Sequence, residues 1–334
     1  MLRFIVRRLL QLIPTLLGLS VLLFVWVHNL PGGPAAGLLG ERATPERVAQ
    51  IEESLGLNDP IWVQYGRFMQ KLFQLDFGTS IQSGRPVLDE FLARFPATVE
   101  LSLTAILIAV VVGIPLGYLA ARHRGRFLDF GAVTSSLLGI CIPVFFLAYL
   151  FKQIFSVWFG VFPSAGRVTA GLDTPNITGL VVFDSLISFD FVALSDALAH
   201  LVLPAVALSS IPLAIIVRMT RASVLEVLSE DYVRTAESKG LRASTIRGRH
   251  VLRNAMLPVI TTIGILTGQL LSGAVLTETV FAFPGIGSFL ATAIPTRDYS
   301  TLMGFIMLIA TFYVIINLIV DISYSIIDPR VRVS

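Results

Sequence analysis

Long apolar runs separated by short charged segments dominate this chain. Six of them reach the roughly 20 mostly apolar residues a helix needs to cross hydrocarbon, at about 1.5 Å per residue. They are Leu9–Leu30, Val99–Ala121, Phe130–Phe155, Leu201–Met219, Leu257–Leu276 and Leu302–Val320. The second contains Gly113, Pro115 and Gly117, and the third contains Pro143. In water these residues would argue against helices; in a membrane bundle, neighbouring helices re-satisfy the freed backbone groups. The pattern predicts an all-α integral membrane protein with six transmembrane helices.

Composition agrees. Of 334 residues, 54% are hydrophobic and 14% charged, whereas a soluble domain carries about 25% charged residues to face water. Mean hydropathy is +0.79 and the isoelectric point is near 9.2. Basic excess of that size can mark a nucleic-acid binder, but here it follows the membrane. With the N-terminus inside, the inner segments 1–8, 122–129, 218–256 and 321–334 hold 16 of the 25 Lys and Arg residues. Arg122-His-Arg-Gly-Arg126 packs three arginines into a short loop. Short positive loops face the cytoplasm, so both termini are expected there. Arg3, Arg7 and Arg8 before the first run imitate a secretory signal. That run exceeds the ~7–15 residues of a signal core, so an uncleaved first helix is expected. The single cysteine, Cys141, lies in an apolar run and says nothing about redox compartment.

Between the spans, residues 1–30 form an N-terminal tail and first span, and 31–98 an extracytoplasmic segment with short helices. Residues 99–330 form the core of spans two to six. In the outer segment, Thr44–Leu57 reads as helical, with Thr44 as cap, Pro45 in the first position and Glu46 in the positive first turn. Leu55-Gly-Leu-Asn-Asp-Pro60 reads as a helix end, Tyr65–Leu75 as an amphipathic helix, and Phe191–His200 as another short helix.

The inner segment 218–256 is longer than a connection requires. Ser229 can cap a helix with Glu230 and Asp231 in its first turn, and Gly240 suits the left-handed residue that ends one. Ser244 can cap a second helix through Ile246, Val251 and Leu252. Three uses compete: a plain positive-inside loop, a DNA-binding helix-turn-helix, and a docking surface for a cytoplasmic partner. The adjoining spans would hold the segment against the membrane, which disfavours DNA.

Asp231-Tyr-Val-Arg-Thr-Ala-Glu-Ser-Lys-Gly-Leu241 and His250-Val-Leu-Arg-Asn-Ala-Met-Leu-Pro258 resemble the "EAA" coupling loop of ATP-binding-cassette importer permeases, in the dipeptide/oligopeptide and nickel branch. Where the general pattern begins Glu-Ala-Ala six residues before its glycine, this chain has Arg234, Thr235 and Ala236, matching only the third. Arg7-Arg-Leu-Leu, Asp76-Phe-Gly-Thr-Ser80, Arg94-Phe-Pro-Ala-Thr-Val-Glu-Leu101, Phe283-Pro-Gly-Ile-Gly287, Arg297-Asp-Tyr299 and Asp328-Pro-Arg330 resemble the branch's first permease subunit in order and spacing. The resemblance implies a type I importer-permease fold, and a loop (Arg234, Thr235, Ala236, Glu237, Lys239, Gly240, Leu241) that receives the motion of separate ATPase subunits. It also implies a second, related permease, two ATPase subunits that bind ATP and Mg, and an extracytoplasmic peptide-binding protein. The chain has no Gly-x-x-x-x-Gly-Lys-Ser/Thr loop to cradle phosphates. It is therefore expected to bind no cofactor and to catalyse no reaction. An ion-driven secondary transporter and a membrane scaffold for a soluble enzyme are the competing classes.

Charges inside spans default to functional candidates. Lys152 can snorkel to the outer interface, and Asp321 sits at the inner end of span six. Glu278, with Phe283, Pro284 and Gly285, can line the pathway or its outer gate, or fix the fold of that loop. Gly264, Gly268, Ser272 and Gly273 suggest a close helix seam along span five. The four histidines, His28, His123, His200 and His250, are scattered; only His200 has a carboxylate at helical spacing, Asp196, and two ligands do not close a metal site.

Overall fold

A computed structural model describes residues 2–29, 44–46, 49–50, 53, 56 and 58–327, without the side chains of 2–9, 272–273 and 320–327. Among them there is no strand, only an isolated bridge between Thr79 and Pro86. The longer helices are α1 (Leu2–His28), α2 (Ile61–Phe73), α3 (Val87–Arg122), α4 (Phe127–Cys141), α5 (Val144–Phe151), α6 (Val181–Ile187), α7 (Phe191–Leu228), α8 (Asp231–Ser238), α9 (Arg253–Gly273), α10 (Val275–Val280), α11 (Ile286–Ala293) and α12 (Tyr299–Ile327). Among the described residues, five stretches are long and apolar enough to cross a membrane: Leu10–His28, Val87–Arg122, Phe191–Leu228, Ala243–Leu271 and Tyr299–Ile319.

The third expected span is not one straight crossing. Phe127–Cys141 and Val144–Trp158 meet at 100°. Pro143 fixes φ at −56° and Ile142 before it is extended (φ −85°, ψ 122°), because a proline disfavours the helical region for its predecessor. Beyond α5 the chain widens into a π-helical turn, Lys152–Trp158. The fourth span is longer than its apolar core: the helix expected near Phe191–His200 is continuous with it in the 38-residue α7. Asp190 caps that helix by accepting from the N–H groups of Val192 and Ala193. The outer amphipathic helix starts at Ile61 rather than Tyr65. In the Thr44–Leu57 stretch, Pro45, Glu46, Ala49, Gln50 and Glu53 are helical. Asp328-Pro-Arg330 and the side chains of Asp321 and Ser272 lie outside the described residues.

The chain divides into two compact units, Met1–Pro96 with Pro284–Ile322, and Ala97–Phe283 with Ser323–Ser334. The first has an aromatic core. Phe91 packs against Phe95, Phe305 and Phe312 with ring centroids 5.2, 5.3 and 5.6 Å away, and the Arg94 guanidinium lies 4.0 Å above the Phe289 ring. Arg94 also pairs with the buried Glu90. The fully buried Asp298 accepts from the Ser80 hydroxyl (2.7 Å), the Ile81 N–H (2.8 Å) and the Thr301 hydroxyl (2.8 Å). The fragments 76–80 and 297–299 thus join as a latch between distant parts of the chain.

The second unit packs α3 and α9 on α7, through Leu101, Ala105 and Ala109, Val259 and Leu266, and Leu201, Ala205, Leu208 and Ile216. Gly264 and Gly268 are buried there. A close seam lies on α3. A Cβ at Gly117 would stand 2.6 Å from the Val217 carbonyl oxygen, and one at Gly113 2.9 Å from Ile216 Cγ2. The connection 159–190 is clamped to α3 by Glu100. One oxygen accepts from Arg167 Nε (2.9 Å) and Nη2 (2.5 Å), the other from the Val182 N–H (2.7 Å).

Asp184 organises the same connection. Fully buried, it accepts from the N–H groups of Ile177, Thr178 and Gly179 and from the Thr178 hydroxyl. Burial pushes its carboxyl up, but the four donors outweigh it, leaving the group below the usual carboxylate range. The folded form therefore favours the anion. Its stabilisation is complete above the unfolded value of about 3.9 and is lost as pH falls through the lower folded value. Asp184→Asn is expected to loosen residues 177–190 by roughly 1.5–3 kcal/mol at pH 7, the range for hydrogen bonds to a charged group. The difference from wild type should shrink below about pH 4. Hydrogen exchange of residues 177–190 against pH measures both.

Candidate functional site

The end of the second unit that carries the 218–256 segment is a folded element, not a loop. α7 runs through Leu228, and α8 follows after Ser229 and Glu230. Ser229 does not cap α8, as the sequence suggested. It ends α7, and its hydroxyl donates to the Glu226 carbonyl at 2.7 Å. Glu230 occupies the N-cap position of α8, without a side-chain cap bond, and Asp231 lies in the first turn. Ser244 is not a cap either. It lies inside the short turn Ala243–Thr245, which opens into a π-helical turn, Ile246–Leu252, and continues as α9. The second helix is thus the head of span five.

Gly240 takes the expected left-handed conformation, with φ +70°. Its N–H donates to the Glu237 carbonyl (2.9 Å), and the Leu241 N–H donates to the Ala236 carbonyl (3.3 Å). These two bonds are the Schellman arrangement, which satisfies carbonyls a helix end leaves open and stops the helix at a fixed residue.

α8 has two faces. Val233 and Ala236 are buried with Ile246 and Val251 of the π turn, Ala121 at the end of α3, Val224 of α7 and Ala255 of α9. Arg234, Thr235, Glu237, Lys239, Gly240 and Leu241 are exposed. Of the residues expected to couple to an ATPase, Ala236 therefore anchors the helix and the others form its outer face. Tyr232 accepts from Asn254 Nδ2 at 3.0 Å, and Ser223 Oγ donates to the Ala255 carbonyl at 2.8 Å. α8 is thus packed on the ends of three long helices.

An ion pair that was hardly legible in the residue order braces the same end. Asp129, in the first turn of α4, accepts from Arg221 Nε (2.5 Å) and Nη2 (2.8 Å) on α7 and from the Gly125 N–H (2.9 Å). The only signal was a carboxylate following three arginines. The bidentate geometry fixes α4 to α7 more firmly than a single contact would.

At the other end of the unit, Glu278 on α10 is fully buried and accepts from the Thr98 hydroxyl at 2.6 Å. The Phe283 N–H donates to the Glu278 carbonyl at 2.8 Å, and the Phe283 ring is buried in the core. Thr98 and Phe283 thus tie Glu278 into the core of this unit. Pro284 and Gly285 open the segment of the other unit that contains α11. Lys152 Nζ donates to the Val280 carbonyl at 2.8 Å, closing the end of α10. His200 and Asp196 are also engaged locally. The Asp196 carboxylate accepts from the Thr169 N–H (2.7 Å) and hydroxyl (2.6 Å), while His200 Nδ1 bonds to the Asp196 carbonyl at 2.9 Å.

Comparison with known proteins gives this architecture a family. Residues 113–333 match the family described as "Binding-protein-dependent transport system inner membrane component". Residues 1–102 match its N-terminal companion. The chain is 46% identical over 336 residues to the dipeptide transport system permease protein DppB of Escherichia coli K12, covering 99% of each. It is 43% identical over 332 residues to the protein of that name from Alkalihalophilus pseudofirmus, covering 99% of this chain and all of the relative. A chain of the MetNI methionine ABC transporter, in an inward-facing structure, shares the fold with a TM-score of 0.51 at 14% identity, over 72% of this chain and 97% of that one. This chain belongs to the inner membrane components of binding-protein-dependent transport systems.

Proposed function

We propose that this chain is the first permease subunit of an ATP-driven importer of dipeptides or short peptides, and that α8 and Gly240 receive the ATPase stroke. The observation that carries the reading is the two-faced α8, rooted in the ends of α3, α7 and α9 and ended at a fixed glycine. Such an element suits a partner cleft better than a plain positive-inside loop would. Substrate class comes from the relatives, both named for dipeptide transport. The broken pair α4–α5 counts as one crossing in this reading, which gives six spans and places both termini in the cytoplasm, as the arginine distribution favours.

The remaining partners follow the same reading. A second permease completes the pathway. Two ATPase subunits bind ATP and Mg and grip the coupling elements. A soluble peptide-binding protein delivers substrate to the outer segments within 31–98 and 161–199. This chain performs no bond chemistry.

Two measurements test the proposal. Proteoliposomes holding the assembled complex should take up labelled dipeptide only with both ATP and the binding protein; uptake by this chain alone without ATP would sink the reading. Val233→Asp puts a carboxylate into a site that is 1% exposed, where an unpaired ion costs several kcal/mol. It should detach α8. ATPase subunits should then no longer co-purify with the chain, while its membrane insertion persists.

A further inference from the structure

Helix α2 lies in the segment that hydropathy assigns to the aqueous side, yet it is bound to the last turns of the first span. Tyr65 Oη is 2.9 Å from Ser20 Oγ, and Gln64 Oε1 is 2.8 Å from His28 Nε2. The Phe24 ring lies 5.3 Å from that of Tyr65 and 5.8 Å from that of Phe68. Ser20, Phe24 and His28 belong to the apolar crossing Leu10–His28. From Ser20 to His28 is eight residues, or about 12 Å along the helix, a large part of one leaflet of a hydrocarbon core about 30 Å thick. A helix touching all three side chains sits at lipid depth.

Its surface agrees. At about 100° per residue, Trp62, Met69 and Phe73 fall within some 40° of one another, beside the sector that meets α1. Trp62 and Phe73 are 73% and 79% exposed. Arg67 lies about 140° round the helix from them and pairs with Asp59 at 2.7 Å. On α1 the surface beside that contact is also exposed and apolar, through Leu17 and Val21, and Leu22 is exposed at the same depth. Trp26 packs edge-on to Tyr299, 6.1 Å between centroids, which marks an aromatic interfacial level at the ends of two spans.

We infer that α2 is a membrane-surface helix embedded in the leaflet at the C-terminal end of α1, with Trp62, Met69 and Phe73 in contact with lipid acyl chains. An amphipathic helix with aromatic residues on one face and cations on the other takes this position. The occupant is lipid because the exposed apolar face continues that of a crossing helix at the same depth. Of the outer segment, this helix is then withdrawn from the surface available to a soluble partner.

Spin labelling of the assembled transporter in phosphatidylcholine/phosphatidylglycerol nanodiscs tests this. Cys141→Ala and removal of accessible cysteines from the companion subunits provide the background. Trp62→Cys and Phe73→Cys carry the label in turn, with Arg67→Cys as the polar-face control and Leu22→Cys as the hydrocarbon reference. Labels at 62 and 73 should relax several-fold more with oxygen than with a water-soluble nickel chelate, as at 22, and the label at 67 should do the reverse. Chelate accessibility at 62 and 73 equal to that at 67 would overturn the inference. So would shielding of both positions from both reagents, which would mean that a protein surface covers them. Each position reports alone, so loss of one variant leaves the test intact.

Discussion

Gly240→Val is expected to leave membrane insertion unchanged while lowering stimulated ATP hydrolysis and uptake several-fold. A Cβ at Gly240 would meet no atom within 4 Å, so the whole penalty comes from the backbone at φ +70°. For a residue with a Cβ that conformation costs about 1–2 kcal/mol, and more when the side chain is branched. A penalty of that size shifts a two-state population about 5–30-fold, here away from the α8 end that the Glu237 and Ala236 carbonyls define. Asparagine tolerates the left-handed region. Gly240→Asn should therefore keep most of the activity, and this separates a conformational requirement from a contact requirement. The comparison is made by ATPase rate with and without loaded binding protein, at equal amounts of chain in the membrane. Equal rates for Val and Gly would rule out α8 as the coupling element.

Gly117→Val is expected to have the largest effect on assembly. The added Cβ would sit 2.6 Å from the Val217 carbonyl oxygen and 2.7 Å from Thr220 Cβ. The first of these is backbone, so α3 and α7 must separate rather than a side chain rotate. Overpacking of this kind costs about 1–3 kcal/mol, and small residues at helix seams are what permit such approach. The heat resistance of the detergent-solubilised chain should fall by several degrees and its yield with it. Gly131→Ala on α4 has open space around it and should behave as wild type. A Gly117→Val protein as heat-resistant as wild type would mean that the seam opens in the membrane.

The apolar runs announced every long helix, because crossing hydrocarbon sets a length that can be read directly. The same runs could not show where helices continue past lipid. α7 extends through residues 220–228, which read as loop, because Ser223 and Val224 find buried partners in and around α9. The bend at Ile142–Pro143 was hidden because a tolerated proline and a chain-turning one look alike until neighbours are known. Gly240 was legible from spacing alone, since few residues other than glycine take its backbone angle. The inward placing of Val233 and Ala236 was not legible: their partners, Ala121 and Ala255, come from other helices. The bond from Lys152 was not legible either, because the Val280 carbonyl it meets is 128 residues away.

The Asp298 latch carries a consequence for synthesis. Ser80 and its acceptor are 218 residues apart in sequence. At about 5–20 residues per second, Ser80 waits on the order of 10–40 s for Asp298 to be made. Through that interval the Ser80 hydroxyl and the Ile81 N–H are without their carboxylate, and the aromatic core around Phe91 lacks Phe305 and Phe312. The segment between residues 76 and 95 is thus a late-closing part of the nascent chain, completed only when the last span arrives.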